Sequence, residues 1–375
     1  MTSDLKDKPP SRLQIWKLAS RPHTLTASIS PVLAGYALTL HYCVCLDGVR
    51  GGECLVDKAA IFWMAVQFAM FAGLIQIGTN LHNDYADFVK GADTDQRIGQ
   101  ARATQKGWLT PYEACRGCVI CLSLAFFIGV WSLIPSSESC YVSNSTYRER
   151  HDPIMVFIVL SSVFNAVAYT GGPFPLGYIH PSLGNISIGY SGLGDVFVFL
   201  YFGIVATMGV PYLYLTKVEC LDVVETIFDH HDDDAKAIKI LQLQSLKQTL
   251  IPAIPIGFLA TAIIVVNNLR DRHTDIYAGK KTVAVRFGET FARTEYFLLV
   301  AISYGFCVYI ASLENTYLAL LPLLSLPMAI TQLKAVAFGG KDGQDLNDHV
   351  GGTAKLQMVY CILLSIGLTV SSHSI

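Results

Sequence analysis

TNLHNDYADFVKGADTDQRIGQAR, residues 79–102, closes a long apolar run and opens onto crowded charge. From Ile61 to Asn83 there is no Asp, Glu, Lys or Arg; then Asp84, Asp87, Asp93 and Asp95 follow closely, trailed by Arg97 and Arg102. The run is long enough to cross a bilayer, which takes about 20 apolar residues. Carboxylates at the mouth of such a helix are costly. At mid-membrane each loses about 2.5–3.5 kcal/mol even on the insertion scale, and neighbouring acids repel. A cation has to sit among them.

The rest of the chain shares this apolar background. Of 375 residues, 52% are hydrophobic and 15% charged, against about one-quarter charged in soluble domains. Nine runs have the length of a membrane span: 24–42, 60–82, 115–134, 153–170, 195–215, 249–266, 296–312, 316–333 and 354–371. A soluble core supplies two or three such runs, not nine. The expected fold is an all-α polytopic membrane protein: a polar, basic segment 1–23, then one transmembrane domain over 24–371. Residues 1–23 do not read as a cleavable leader.

Net charge is −2, which carries no sign of a nucleic-acid partner. The placement of charge is more telling. With the N-terminus inside, the inner segments hold 18 Lys and Arg and the outer segments 8, Arg116 counted in neither, as the positive-inside rule requires. Cys115, Cys118 and Cys121 are spaced C-x2-C-x2-C, but without the fourth ligand of an iron–sulfur site they read as packing residues at a span's start. Cys43, Cys45, Cys54 and Cys140 fall in outer loops, where pairing is unassigned. The acidic stretch DHHDDDAK (229–236), in the longest outer loop, reads as a solvated face before it reads as a metal site.

An internal echo carries the functional signal. NLHNDYADFVKG begins at Asn80, at the inner end of the second run; NNLRDRHTDIYAGKK begins at Asn267, at the inner end of the sixth. Each has Asn, Asp four residues on, a second Asp, then Gly and basic residues. Runs two and six hold matching places in two four-span halves, the pattern of a duplicated membrane fold with its site at the repeat interface. Positions i, i+4 and i+7 or i+8 share a helix face. Asn80, Asp84 and Asp87 are thus expected to point one way, and Asn267, Asp271 and Asp275 another. These are hard oxygen ligands, suited to Mg²⁺. Mg²⁺ bridging such acids to a diphosphate, with Arg and Lys completing the cage, satisfies every charge. A diphosphate head on a tail that lies among apolar spans describes a prenyl diphosphate. Its reaction is ionisation of the allylic C–O bond and capture of the cation by an electron-rich acceptor.

At these residues the chain resembles the UbiA superfamily of intramembrane aromatic prenyltransferases, and within it the branch that prenylates 1,4-dihydroxy-2-naphthoate. The resemblance rests on NDYADFVKGADTDQRIGQARATQKGWLT and NNLRDRHTDIYAGKKTVAVRFGE, with support from ASRPHTLTASISPVLAGYAL, YTGG and GYSGLGDVFVFLYFG. It runs from about residue 16 to 370. Gln100-Ala101 stands where that branch has Gly-Pro, and the outer loops are enlarged.

The resemblance implies about nine transmembrane helices, two four-helix pseudo-repeats plus a final helix, around a central cavity. It implies Mg²⁺-dependent transfer of a polyprenyl group to the naphthoate with loss of the acceptor's carboxylate. Asn80, Asp84 and Asp87 would then bind one Mg²⁺; Asp271 and Asp275, assisted by Asn267, would bind the other. Arg97, Arg102, Lys106 and Lys280 would hold the diphosphate, and Tyr169 is a candidate for the cavity wall. Other acceptors (4-hydroxybenzoate, homogentisate or haem) give the alternative within enzymes. An ion-coupled transporter or a non-catalytic binding protein gives the alternative outside them.

Overall fold

The computed structural model describes residues 10–42, 58–93, 98–134, 152–217 and 233–371. Among these there is no strand, and the helices coincide with the nine apolar runs. Span 1 is Pro22–Tyr42, span 2 Lys58–Val89, span 3 Pro111–Leu133, span 4 Pro153–Ala168 and span 5 Gly194–Lys217. Span 6 is Leu243–Tyr277, span 7 Val283–Leu313, span 8 Tyr317–Phe338 and span 9 Gly343–Ser371. Seven of them are long and apolar enough to cross a membrane by themselves. Span 1 is diluted by Ser, Thr and His, and span 4 has only 16 residues. The protein is an integral, multi-pass membrane protein.

Local sequence sets the helix starts. Thr110 caps span 3 through a Thr-x-x-Glu box with Glu113, followed by Pro111; Asp152 caps span 4 ahead of Pro153, and Thr282 caps span 7. Each supplies an acceptor to backbone N–H groups that the helix leaves unpaired. An additional short helix, Arg12–Ser20, lies before span 1 and ends at Arg21 in the left-handed region, φ 51°.

Lipid tails are as apolar as leucine, so helices in a bilayer associate by close packing more than by burial from water. Span 5 shows how close. A methyl group at Gly203 would stand 2.3 Å from Gly257 of span 6, and one at Gly35 of span 1 would stand 2.2 Å from the Thr207 carbonyl oxygen. Spans 1 to 5 share one buried cluster around Phe68, Phe71 and Met155. Another, around Tyr296, Tyr304 and Tyr360, unites spans 6 to 9 with span 1.

One boundary differs from the sequence reading. The helix of span 6 begins at Asp233, within the expected outer loop 216–248, and runs 45 residues to Tyr277. Only the end of the acidic stretch, from Asp233, belongs to that helix; Asp229–Asp232 lie outside the described residues, as do Cys43, Cys45, Cys54 and Cys140. Cys115, Cys118 and Cys121 are free thiols in span 3, Cys118 buried, in keeping with packing residues.

Candidate active site

Both acidic motifs end their helices in the same way. After span 2, Gly91 takes φ 70°, its N–H donates to Phe88 O at 3.0 Å and the Ala92 N–H reaches Asp87 O at 2.8 Å. After span 6, Gly279 takes φ 71°, its N–H donates to Ile276 O at 3.1 Å and the Lys280 N–H reaches Asp275 O at 2.9 Å. These are two copies of one glycine-terminated helix end, a conformation that glycine adopts without steric cost. Asp87 and Asp275 hold the same place in each. The echo in the sequence is therefore also an echo in backbone geometry.

Between the two ends lies a cavity of about 460 Å³. Its mouth is polar: Asn80, Asn83 and Asp87 from span 2; Asn267, Asn268, Arg270, Asp271 and Asp275 from span 6; with Arg21, Arg102 and Lys280. Its depth is apolar and aromatic: Ile75, Ala166, Phe197, Tyr201, Phe202, Ala260 and Ile263. Phe199–Val205 of span 5 follow a π-helical path beside it, a local widening that recurs at functional sites.

Basic side chains neutralise the acids. Arg102 is 7% exposed and gathers three carboxylates: Asp87 at 2.9 Å, Asp93 at 3.2 Å and Asp84 at 3.5 Å. Burial works against its charge, but Asp87, Asp93, Asp84 and Asp271 outweigh that and hold its pKa above the ordinary value. Arg21 also pairs with Asp84. On span 6, Arg270 embraces both Asp271 oxygens, Nε to Oδ1 at 2.8 Å and Nη2 to Oδ2 at 2.6 Å, and reaches Asn267 Oδ1 at 2.8 Å. Its third nitrogen donates to Asn347 of span 9 at 3.2 Å, and Asn347 donates in turn to Ile98 O at 3.1 Å. Lys280 pairs with Asp275 at 3.1 Å.

The structure thus brings Asn80, Asp87, Asn267, Asp271, Asp275, Arg102, Lys280 and Tyr169 to one cavity. Asp84 departs from expectation. It is 1% exposed and does not line the cavity; it accepts from Arg21, from Arg102 and from the Ala103 N–H at 3.3 Å. A residue three positions from Asp87 is turned about 60° round the helix, enough to take Asp84 to the edge of the face. Asn83 lines the cavity instead. Its partner across the mouth is the same Asn-x3-Asp pair, Asn83/Asp87 facing Asn267/Asp271. Lys106 is exposed and not in the cavity wall, and Arg97 lies outside the described residues. Arg21, Asn83, Arg270 and Asn347 were missed. Asn83 and Arg270 had a signal in their places inside the two motifs, and Arg21 in its place inside ASRPHTLTASISPVLAGYAL.

The donors fit Mg²⁺ by chemistry: carboxylate and amide oxygens with no thiolate, facing one cavity. Among the described residues no three His, Cys, Asp or Glu side chains converge as a ready-made cage. That also suits Mg²⁺, which keeps waters and takes one or two carboxylates together with substrate phosphates. Asn83, Asp87, Asn267, Asp271 and Asp275 line the cavity with oxygens that could take the ion.

The model of the UbiA prenyltransferase family matches residues 52–342, and the chain belongs to that family. It is a membrane prenyltransferase. It is 32% identical over 289 residues to the 1,4-dihydroxy-2-naphthoate octaprenyltransferase of Escherichia coli (strain K12), covering 76% of this chain and 71% of that one. The enzyme of the same name from Mycobacterium leprae (strain TN) is 25% identical, covering 95% and 96%. The UbiA prenyltransferase domain-containing protein 1 of Mus musculus is 27% identical, covering 94% and 82%. In fold it is similar to a UbiA homolog from Archaeoglobus fulgidus solved with DMAPP and Mg2+, at a TM-score of 0.51 and 14% identity, covering 94% and 99%.

Proposed function

We propose that the chain transfers a polyprenyl group from a prenyl diphosphate to 1,4-dihydroxy-2-naphthoate, with release of diphosphate and CO₂, giving the hydroquinone form of demethylmenaquinone or of a phylloquinone precursor. The observation that carries the reading is the polarity of the cavity, acids and bases at the mouth over an apolar, aromatic depth. The bacterial relatives that share most of the chain are named for this acceptor.

Bound Mg²⁺ would supply positive charge to the leaving diphosphate. The chain's residues do the rest. Asn83, Asp87, Asn267, Asp271 and Asp275 offer the oxygens that hold the ion. Arg102, Lys280 and Arg270 place fixed cations where the leaving group's charge grows, the kind of preorganised stabilisation that lowers such barriers most. The walls at Phe197, Tyr201 and Phe202 keep water from the allylic carbon until the acceptor's ring carbon bonds to it. The naphthoate carboxylate then leaves as CO₂, returning its bonding pair to the ring. The excess of inner Lys and Arg supports a site on the cytoplasm-like face.

The test is transfer by purified protein in lipid, with labelled prenyl diphosphate, with Mg²⁺ or EDTA, and with 1,4-dihydroxy-2-naphthoate or 4-hydroxybenzoate as acceptor. Mg²⁺-dependent product and CO₂ from the naphthoate alone is expected. Product from the benzoate alone would reassign the acceptor and keep the chemistry.

A further inference from the structure

Between spans 4 and 5 a single helical turn, Ile188–Ser191, is pinned to both motifs at once. The Tyr190 hydroxyl donates to Asp87 Oδ1 at 2.7 Å. Its backbone carbonyl accepts from the Lys281 N–H at 2.8 Å, and the Ser191 carbonyl accepts from Arg286 Nη2 at 2.6 Å. Two ammonium groups lie by its ring: Lys90 Nζ at 4.6 Å from the centroid and Lys280 Nζ at 5.1 Å. Lys90 is the residue before the first helix-ending glycine, and Lys280 the residue after the second. Tyr190 itself lines the cavity.

The Tyr190 side chain thus touches the first motif's carboxylate and the basic residues after both motifs. The arrangement has a chemical logic. Lys280 is paired with Asp275 at 3.1 Å, whereas Lys90 donates to the Thr170 carbonyl; an ammonium held over an aromatic ring stays charged towards an incoming anion. Burial presses on Lys90, lowering its pKa; Asp87 opposes this, and Lys280 adds to it. Two like charges near one ring are held in waiting for a polyanion.

We propose that Tyr190 is the positioning residue that ties the two motifs together: its hydroxyl fixes Asp87 for metal, and its ring holds Lys90 and Lys280 for the diphosphate. This rests on the prenyl diphosphate reading above. The two halves of the assignment separate chemically, because Tyr190→Phe removes the hydroxyl and keeps the ring, while Tyr190→Leu removes both.

The experiment measures binding without turnover, using the full chain in lipid nanodiscs. Mn²⁺ binding is followed by electron paramagnetic resonance, and inorganic pyrophosphate binding by calorimetry. Turnover is measured in parallel to give kcat and KM for the prenyl diphosphate. Tyr190→Phe is expected to weaken Mn²⁺ binding about tenfold, the size of a lost hydrogen bond to a charged group, with pyrophosphate binding in Mg²⁺-free buffer unchanged. Tyr190→Leu is expected to add a threefold to tenfold loss of pyrophosphate affinity and a matching rise in KM. Equal pyrophosphate affinity in the Phe and Leu variants would overturn the role of the ring, and unchanged Mn²⁺ affinity in Tyr190→Phe that of the hydroxyl. If wild-type protein binds neither probe, the diphosphate reading itself fails; if it binds both and neither variant differs, only the role of Tyr190 fails. Thermal unfolding of each variant separates either result from loss of fold.

Discussion

The two acidic motifs end in the same backbone turn yet are neutralised in opposite ways. The second is self-contained. Arg270 holds the adjacent Asp271, and Lys280 holds Asp275 from five residues on. The first is stitched to distant chain: Asp84 is bound by Arg21 from the segment before span 1, and Arg102 returns from the following loop to collect Asp84, Asp87 and Asp93. The acids recur in both motifs, and in the first they tie distant segments of chain together. The second motif should therefore tolerate substitution structurally and fail chemically. The first should fail in both ways.

Asp271→Asn tests the chemical half and has the largest expected effect. Turnover should fall at least 10²–10³-fold, the scale of losing one electrostatic group in an active site, with thermal stability close to wild type. Arg102→Ala tests the structural half. It strands three carboxylates, and removing one partner of a buried pair costs about 3–5 kcal/mol, which thermal unfolding in detergent will show. Asp84→Asn should sit between them, with a loss of about 1–3 kcal/mol from weakened bonds to Arg21, Arg102 and the Ala103 N–H as well as a fall in turnover. A stable but inactive Asp84→Asn protein would make the two motifs equivalent after all.

Smaller effects belong to the far side of span 6. Arg272 faces away from the cavity and pairs with Glu289 at 2.6 Å and with Asp342. Arg272→Ala should lower stability by about 1–3 kcal/mol and leave turnover largely intact. The smallest effect is on pH. Partial burial raises the Asp342 pKa, but the hydrogen bonds from Arg272 and the Gly343 N–H outweigh it and hold the carboxyl below its ordinary value. A lowered native pKa contributes stability that is present above the unfolded value, about 3.9, and lost as pH falls through the native one. Unfolding scans in acid should show that contribution vanish, and the Arg272→Ala protein should show a smaller one, since the Gly343 N–H and His273 still bond to Asp342.

The fold was legible because a bilayer imposes one length and one polarity on every span; among the described residues each of the nine runs is helical. The site was legible in outline, since Asn, Asp and Gly recurred at corresponding places. What escaped was rotation and return. Asp84 and Asn83 are neighbours in sequence, and which of them meets the cavity depends on where the helix face lies. Arg21 and Asn347 reach the site from the two ends of the domain, through contacts that no spacing encodes. Tyr190 stood inside the quoted GYSGLGDVFVFLYFG segment, but nothing in its spacing tied it to the two acidic motifs.

The helix that carries the second motif has one more consequence. Its 45 residues trace a path of about 67 Å at 1.5 Å each, while a bilayer with its headgroups is about 40–45 Å thick. With Asp275 at one water boundary, the opposite end must stand clear of the lipid on the other side. Ile240, half exposed near that end, is thus a marker of sidedness. A cysteine placed there should react with a membrane-impermeant maleimide only from the compartment opposite the chemistry, so one labelling experiment on sealed vesicles orients the whole enzyme.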